Sequence, residues 1–275
     1  MIPAAFDYQR AGSVDEALAM LAEAGDEAKL LAGGHSLLPL MKLRLASPSM
    51  LIDIGRLSEL SYIRDGGDHV AIGALTRHRD VETSDMLATH VPLLSYAAGH
   101  VGDPQVRHRG TIGGSVSHAD PASDLPATLL ALGASFVARD TGGSERVIAA
   151  SDFFEGFLES ALQPTELMTE VRVPKITGAG WGFQKFNRRA QDWAIVGVAA
   201  WKNGTGAGVA LVNMGSTPIR ATAVEQALAS GASVAEAAQL AAEGTEAPSD
   251  LNASPEYRQH LARVLVRRAL ESAGA

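Results

Sequence analysis

The sequence contains no cysteine among its 275 residues. Disulfides, cysteine nucleophiles and iron–sulfur clusters all need cysteine side chains, so this chain cannot build any of them from its own residues. Any redox chemistry of the chain therefore needs a bound organic cofactor, or a partner subunit that supplies the metal centre.

Long apolar segments and an excess of positive charge are also missing. No run of 18 apolar residues occurs, and the opening MIPAAFDYQR has no apolar signal core, which favours a cytoplasmic protein without a transmembrane segment. The formal net charge is -8, and no basic face is large enough to hold a phosphate backbone. We therefore expect no nucleic-acid partner.

What is present is an irregular succession of helix and strand patterns, which predicts an α+β fold in two parts. Segment 13–25 is typical of a helix capped by Ser13, and segments 60–75 and 135–150 each indicate a β-hairpin. The linker-like TGAGWG begins at residue 177, and the order of strand and helix patterns changes after it. We therefore expect a domain over 1–176 and a smaller one over 177–275.

Two further helices are predicted to begin at polar residues. Ser36 precedes LLPLMKLRL, and Asp124 precedes LPATLLALGA. Side-chain oxygens of Ser and Asp can accept a hydrogen bond from the first free N–H groups of a helix. Both residues are therefore candidate helix caps.

Glycine pairs interrupt the chain twice, in AGGHS at 32–36 and in TIGGS at 111–115. Glycine lets the backbone approach a ligand closely, and successive free N–H groups form a nest for an anion. Hydroxyl groups of Ser36, Thr111 and Ser115 add further donors. Two such nests suit the two phosphates of a pyrophosphate, whereas a plain turn after a strand is the alternative for either break alone.

Other ligand motifs are absent or weak. The chain has no GxxxxGKS or GxxxxGKT, and GTGAGVA at 204–210 has the wrong spacing for a dinucleotide fingerprint and fits a hairpin turn. A metal site made from His35, His118 and Asp120 is not expected, because histidines in loops are far more often simple hydrogen-bonding groups.

The paired motifs AGGHSLLPLMKLRL and GTIGGSVSHADPASDLPATLLALGA resemble the FAD-binding medium subunits of molybdenum hydroxylases, the family of carbon monoxide dehydrogenase and xanthine dehydrogenase. LIDI, IGALT, GDPQVRHRGTIGG and YRQHLARVLVRRAL match the same family, so the resemblance covers essentially the whole chain. It implies an FAD domain of the vanillyl-alcohol-oxidase (PCMH) type in two subdomains, about 1–57 and 58–176. A smaller C-terminal α+β domain follows.

The resemblance also implies which residues bind FAD, without a covalent bond. The two glycine breaks would hold the pyrophosphate, and Asp124 would bond the ribose or ribityl part. In KFNRRAQDWAIVGVA, Trp193 would lie near the flavin ring and Lys185 could reach the site, although Trp193 could instead be a core residue that begins a strand. The expected cofactor-binding residues are Ala32, Gly33, Gly34, His35, Ser36, Thr111, Ile112, Gly113, Gly114, Ser115, Asp124, Lys185 and Trp193.

One position departs from the family pattern. Many relatives have asparagine where this chain has Ser115. Serine has a shorter reach but still donates a hydrogen bond, so FAD binding should survive. No catalytic acid or base is expected in this chain, since the protein would supply only orientation and electrostatics to the flavin.

The function implied by the resemblance is electron transfer within a larger complex. A large subunit would carry the molybdenum cofactor, and a small subunit would carry [2Fe-2S] clusters whose electrons pass through FAD to an external acceptor. A dimer of heterotrimers is expected. Two alternatives remain: a stand-alone flavin-dependent oxidoreductase of the same fold, which would need its own substrate pocket, and a nucleotide- or anion-binding module that never holds FAD.

Overall fold

The N-terminal part of the protein is a small parallel sheet covered by a helix. The computed structural model describes residues 2–274, so Met1 and Ala275, the outer ends of the two expected domains, lie outside the described residues. The first elements are β1 (Asp7–Arg10), α1 (Val14–Ala24), β2 (Ala28–Leu31), α2 (Leu37–Leu43) and β3 (Met50–Asp53). β3 pairs in parallel with both β1 and β2, which leaves one edge of β2 unpaired.

The two predicted caps in this part have different outcomes. The Ser13 hydroxyl accepts from the Glu16 N–H at 3.1 Å, as predicted, and the Glu16 carboxylate accepts from the Gly12 N–H at 2.6 Å. Ser36 precedes α2, but its side chain caps nothing, and that prediction is wrong. A cap needs an extended backbone, and Ser36 is already helical, with φ -99° and ψ -52°.

The middle of the chain forms an antiparallel sheet with a layer of short helices. Its strands and helices are β4 (Ile63–Asp65), β5 (His69–Gly73), α3 (His78–Glu82), α4 (Asp85–His90), α5 (Pro92–Ala98), α6 (Pro104–Arg109), α7 (Ile112–His118), α8 (Asp124–Ala131), β6 (Ser135–Arg139), β7 (Glu145–Ala149), β8 (Phe154–Gly156), β9 (Glu159–Ser160) and β10 (Leu167–Pro174). The main sheet has the order β4-β5-β10-β6-β7, and β8 pairs with β9 in a separate hairpin. Both hairpins predicted from the sequence, β4–β5 and β6–β7, are confirmed.

Asp124 is not the cap of α8. Ser123 holds the extended cap position, with φ -74° and ψ 139°, and Asp124 is the first helical residue. Its carboxylate is buried and pairs with the Lys185 ammonium at 2.7 Å instead of with backbone N–H groups. A buried charge gains more from an opposite charge than from a neutral donor, which explains why the capping prediction is wrong.

The C-terminal part is an antiparallel sheet held between helices. Its elements are β11 (Gly180–Phe186), β12 (Val196–Asn203), β13 (Gly206–Val212), β14 (Ile219–Arg220), α9 (Thr222–Ala229), α10 (Val234–Gln239) and α11 (Pro255–Ser272). Glycines allow close approach on both faces: a Cβ built on Gly182 would lie 2.2 Å from the Ala269 carbonyl of α11, and one on Gly208 would lie 2.1 Å from the Ala131 carbonyl of α8. The sheet thereby ties α8, which begins with Asp124, to α11. Among residues 2–274, no helix is both long enough and apolar enough to cross a bilayer.

Candidate cofactor-binding cleft

A cleft of about 780 Å³ lies where the three sheets meet. Its size falls within the range of sites for small molecules and cofactors. Ile112 does not line it, because this side chain is fully buried in the adjoining core. The other predicted residues all line the cleft: Ala32, Gly33, Gly34, His35, Ser36, Thr111, Gly113, Gly114, Ser115, Asp124, Lys185 and Trp193.

The first glycine break packs against Arg109 and Gly110, the two residues that precede the second break. A Cβ built on Gly33 would lie 2.4 Å from the Arg109 carbonyl oxygen and 2.8 Å from the Gly110 Cα. No side chain fits in such a space without moving the backbone. Glycine at position 33 is therefore needed to bring the first break against the second, which places both along one wall of the cleft.

The first break presents free backbone donors. Within residues 2–274, the N–H groups of residues 33–36 donate to no acceptor of the protein. Gly34 has φ +78°, a conformation that side chains other than glycine rarely adopt. This loop therefore offers a nest of N–H groups to an anionic ligand, as its sequence predicts.

The second break is built differently from the expected nest. The N–H groups of Ile112 and Gly113 donate to the carbonyls of Thr76 and Ala74, and those of Gly114 and Ser115 donate to the side chain and carbonyl of Thr111. These bonds form because residues 112–118 continue as α7, which Thr111 caps. The expectation of free N–H groups here is wrong, and the Thr111 and Ser115 hydroxyls are the groups left for a ligand.

Glycine at position 113 serves packing. A Cβ on this residue would lie 2.6 Å from the Ala74 Cβ. The glycine allows α7 to rest on the end of β5, and this contact sets the height of the second break above the sheet.

Asp124 and Lys185 form a buried ion pair in the wall of the cleft. The Lys185 Nζ donates to Asp124 Oδ2 at 2.7 Å and to the His100 carbonyl at 2.9 Å, and both paired side chains are 7% exposed. Burial raises the pKa of Asp124, although the Lys185 ammonium opposes the shift. The second carboxylate oxygen, Oδ1, is buried and has no hydrogen-bond partner within residues 2–274.

Such an unpartnered buried acceptor costs about 1–3 kcal/mol in folding free energy. A ligand hydroxyl or N–H group in the cleft could satisfy it. This oxygen is the strongest sign in the structure that the cleft is shaped for a bound group.

Trp193 stands at the rim of the cleft. Its side chain is 57% exposed, so the alternative of a core residue at the start of a strand is wrong. The loop that carries it is held by an Arg189–Asp192 ion pair at 2.9 Å, and Asp192 also accepts from the Trp193 N–H at 3.0 Å. An indole held at this place can cover a planar ring by stacking.

Several walls of the cleft were not predicted. The open edge of β2, the β8–β9 hairpin and His78 all line it, and no local sequence pattern marks them. His78 is buried under Gly110, and burial together with its cationic neighbours lowers its pKa to about 4. Residues 2–274 contain no group of three or more His, Asp or Glu side chains placed to hold a metal ion.

The chain has an α+β fold and a cleft lined by glycine-rich backbone, a buried ion pair and an exposed indole. These features place it in the class of nucleotide-cofactor-binding proteins. Residues 4–176 match the family model described as the FAD binding domain in molybdopterin dehydrogenase, and residues 181–273 match the CO dehydrogenase flavoprotein C-terminal domain. The chain therefore belongs to the FAD-binding subunits of the molybdenum hydroxylases, the family of carbon monoxide dehydrogenase.

Relatives of known activity align over nearly the full length. The chain is 42% identical to the carbon monoxide dehydrogenase medium chain of Hydrogenophaga pseudoflava, covering 100% of this chain and 99% of the relative. It is 41% identical to the 6-hydroxypseudooxynicotine dehydrogenase complex subunit alpha of Paenarthrobacter nicotinovorans, covering 99% and 96%.

A solved structure shows the same fold. It is carbon monoxide dehydrogenase from Hydrogenophaga pseudoflava that lacks the Mo-pyranopterin moiety of the molybdenum cofactor. One of its chains superimposes with a TM-score of 0.95 and 43% identity, covering 100% of this chain and 99% of that one. The fold class predicted from the sequence is confirmed, and the chain is a subunit type found in multi-subunit oxidoreductases that use FAD.

Proposed function

We propose that this chain relays electrons through FAD, from [2Fe-2S] clusters of a small partner subunit to an external acceptor. The observation that carries the proposal is the cleft in which both glycine breaks meet a buried, half-satisfied carboxylate. The absence of cysteine supports the division of labour, because the clusters must then belong to another chain.

The residues of the cleft fit a non-covalently bound FAD. The free N–H groups of residues 33–36 and the hydroxyls of Ser36, Thr111 and Ser115 would hold the pyrophosphate. Asp124 Oδ1 would accept from a ribityl or ribose hydroxyl, and Trp193 would lie against the flavin ring. These thirteen assignments, including buried Ile112 as a support of the second break, remain predictions.

FAD supplies, when bound, a ring system that accepts and releases electrons singly or in pairs. The chain's own groups orient and tune that ring. Lys185 places a buried positive charge in the wall. The Trp193 indole at the rim would lie over the ring and reduce access of water. No side chain of the cleft is assigned the role of a catalytic acid or base.

The partners of this chain are proposed from its family. We infer a large subunit with the molybdenum cofactor and a small [2Fe-2S] subunit, assembled as a dimer of heterotrimers. Relatives that are 42% and 41% identical belong to enzymes named for carbon monoxide and for 6-hydroxypseudooxynicotine. Enzymes that act on such different substrates contain relatives of this chain at nearly equal identity, which supports selection of the substrate outside this chain.

The bounds of the two family matches, 4–176 and 181–273, support the domain division near 176.

An FAD titration of the purified chain tests the cofactor assignment. The wild-type chain should bind one FAD, seen as a flavin spectrum that survives gel filtration and is released when acid precipitates the protein. In Gly114→Val, the added side chain meets the Thr111 hydroxyl, since even a Cβ would lie 2.7 Å from it, so affinity should fall at least about tenfold.

The matched control is Gly204→Val, in an exposed hairpin where an added Cβ meets no atom within 4 Å. It should bind FAD like the wild type. Equal affinity in the two variants would contradict the placement of the cofactor against the second break. Loss of binding in the wild-type chain, both alone and co-purified with its partner subunits, would contradict the function itself.

A further inference from the structure

Asn213 has an unusual backbone next to the cleft. It follows the last residue of β13 and has φ +61°, in the left-handed region that non-glycine residues seldom occupy. Asparagine tolerates this conformation better than most residues, and non-glycine outliers of this kind are concentrated at functional sites. The sequence motif VNMG gave no sign of such a role.

Two hydrogen bonds of Asn213 reach the segments that carry two residues of the cleft, Asp124 and Trp193. Its N–H donates to the Pro121 carbonyl at 2.8 Å, in the loop that leads to Asp124. Its side-chain Nδ2 donates to the Ala194 carbonyl at 2.8 Å, one residue after Trp193. One residue therefore joins the backbone that carries the buried carboxylate to the backbone that carries the indole.

The segment after Trp193 is otherwise held at Ile195. Arg258, a fully buried residue of α11, donates to the Ile195 carbonyl, and the Ile195 N–H donates to the Phe186 carbonyl at 2.8 Å. Ala194 itself is 1% exposed, so the residue that accepts the bond from Asn213 is fixed within the core. The Trp193 ring is 57% exposed, which means that few packing contacts fix it and the backbone behind it must do so.

We propose that Asn213 is a positioning residue. It holds Trp193 at the rim of the cleft in a fixed position relative to Asp124. The Asn213 amide fixes the Ala194 carbonyl, and its backbone N–H fixes the loop before Asp124. The role rests on the proposed function, since it matters for the cofactor only if Trp193 contacts FAD. The positioning itself can be measured in the chain without FAD.

The variant Asn213→Gly separates the two contacts. Glycine keeps the left-handed backbone and its N–H group, but it removes the amide that holds Ala194. The control is Asn203→Gly, which removes an asparagine that closes the β12–β13 hairpin of the same sheet and lines no part of the cleft.

The first measurement is the fluorescence anisotropy of Trp193 in the full chain without FAD. The signal of Trp193 is isolated by subtracting the spectrum of a matched Trp193→Phe protein in each background. Anisotropy should fall in Asn213→Gly and stay at the wild-type value in Asn203→Gly. An unchanged anisotropy in a folded Asn213→Gly protein would overturn the proposal.

The second measurement is a double-mutant cycle on FAD affinity with Trp193→Ala. Asn213→Gly should weaken FAD binding about fivefold when Trp193 is present, the equivalent of one hydrogen bond, and have no further effect when Trp193 is absent. An equal loss in both backgrounds would show that Asn213 does not act through Trp193 and would overturn the proposal. If the wild-type chain binds no FAD either alone or co-purified with its partner subunits, the proposed function fails, and the anisotropy comparison still decides the positioning role.

Discussion

The buried ion pair of Asp124 and Lys185 lies in the wall of the cleft at a cost in folding free energy. Each side chain is 7% exposed, and removing an ion pair of this kind from water is expensive. A well-packed apolar pair would be the more stable choice for folding alone. The pair is therefore best understood through its free oxygen and its positive charge, both of which belong to residues that line the cleft.

His78 gives a prediction on the pH dependence of stability. Its pKa in the folded chain is about 4, below the unfolded value of about 6.5, because burial disfavours the imidazolium. The unfolded chain thus takes up a proton first as the pH falls. The stability present above pH 6.5 is then lost towards pH 4, and the free energy of unfolding should decrease by about 2 kcal/mol between pH 7 and pH 5.

Denaturant unfolding at the two pH values measures this loss. Because glutamine cannot titrate, the free energy of unfolding of His78→Gln should decrease between pH 7 and pH 5 by about 2 kcal/mol less than that of the wild type. His260 is exposed, and His260→Gln should behave like the wild type. The same pH dependence in His78→Gln and the wild type would mean that His78 is not held neutral in the folded chain.

At the scale of elements, the position of α8 depends on the glycine beneath it. Gly208 of β13 lets the Ala131 carbonyl approach the sheet, and the Trp201 Nε1 donates to the same carbonyl at 2.7 Å. Gly208→Ala should push α8 away from the sheet and destabilise the chain by about 1–3 kcal/mol, as overpacking does in protein cores.

Thermal unfolding tests this prediction. Gly204→Ala, in the adjoining hairpin where an added Cβ meets nothing, is the matched control and should unfold within about 1 kcal/mol of the wild type. Equal stability of the two variants would show that α8 can shift without cost, and Asp124 at its start would then not be rigidly placed.

The elements also show what could be predicted from the sequence. Local signals sufficed for α1 and for both hairpins, because their caps and turns lie within a few residues of the pattern. Ser36 and Asp124 were wrongly predicted as caps because tertiary surroundings decided their roles: a helical backbone in one case and a buried lysine in the other.

The cleft itself was predictable only in part. Residue types and family resemblance brought together the two glycine breaks, Asp124, Lys185 and Trp193. The N–H bonds that fill the second break, and the walls from β2 and the β8–β9 hairpin, depend on contacts between distant segments. No local pattern encodes such contacts, and Asn213 was missed for the same reason.

At the scale of the whole molecule, the cleft joins the two expected domains. Residues 32–36, Thr111 and residues 113–115 come from the first, and Lys185 and Trp193 come from the second. FAD should therefore stabilise both together. At a free FAD concentration 100 times Kd, the free energy of unfolding should rise by about 2.7 kcal/mol.

Calorimetry of the chain with and without FAD measures this coupling. One transition that moves as a whole to higher temperature is the expected result. If two transitions appear and FAD shifts only one, the cofactor contacts a single domain, and the assignment of Lys185 and Trp193 to its site is wrong.

The place of β10 has a consequence for how the protein is made. β10 is the last strand of its sheet in the chain, yet it lies in the centre, between β5 and β6. During synthesis the hairpins β4–β5 and β6–β7 can close early, but they cannot join until residues 167–174 have left the ribosome. The nascent chain thus carries the open edge of β5 through the synthesis of all the residues up to β10, and the open edge of β6 for a much shorter stretch. The cleft is complete only after Trp193 has also been synthesised.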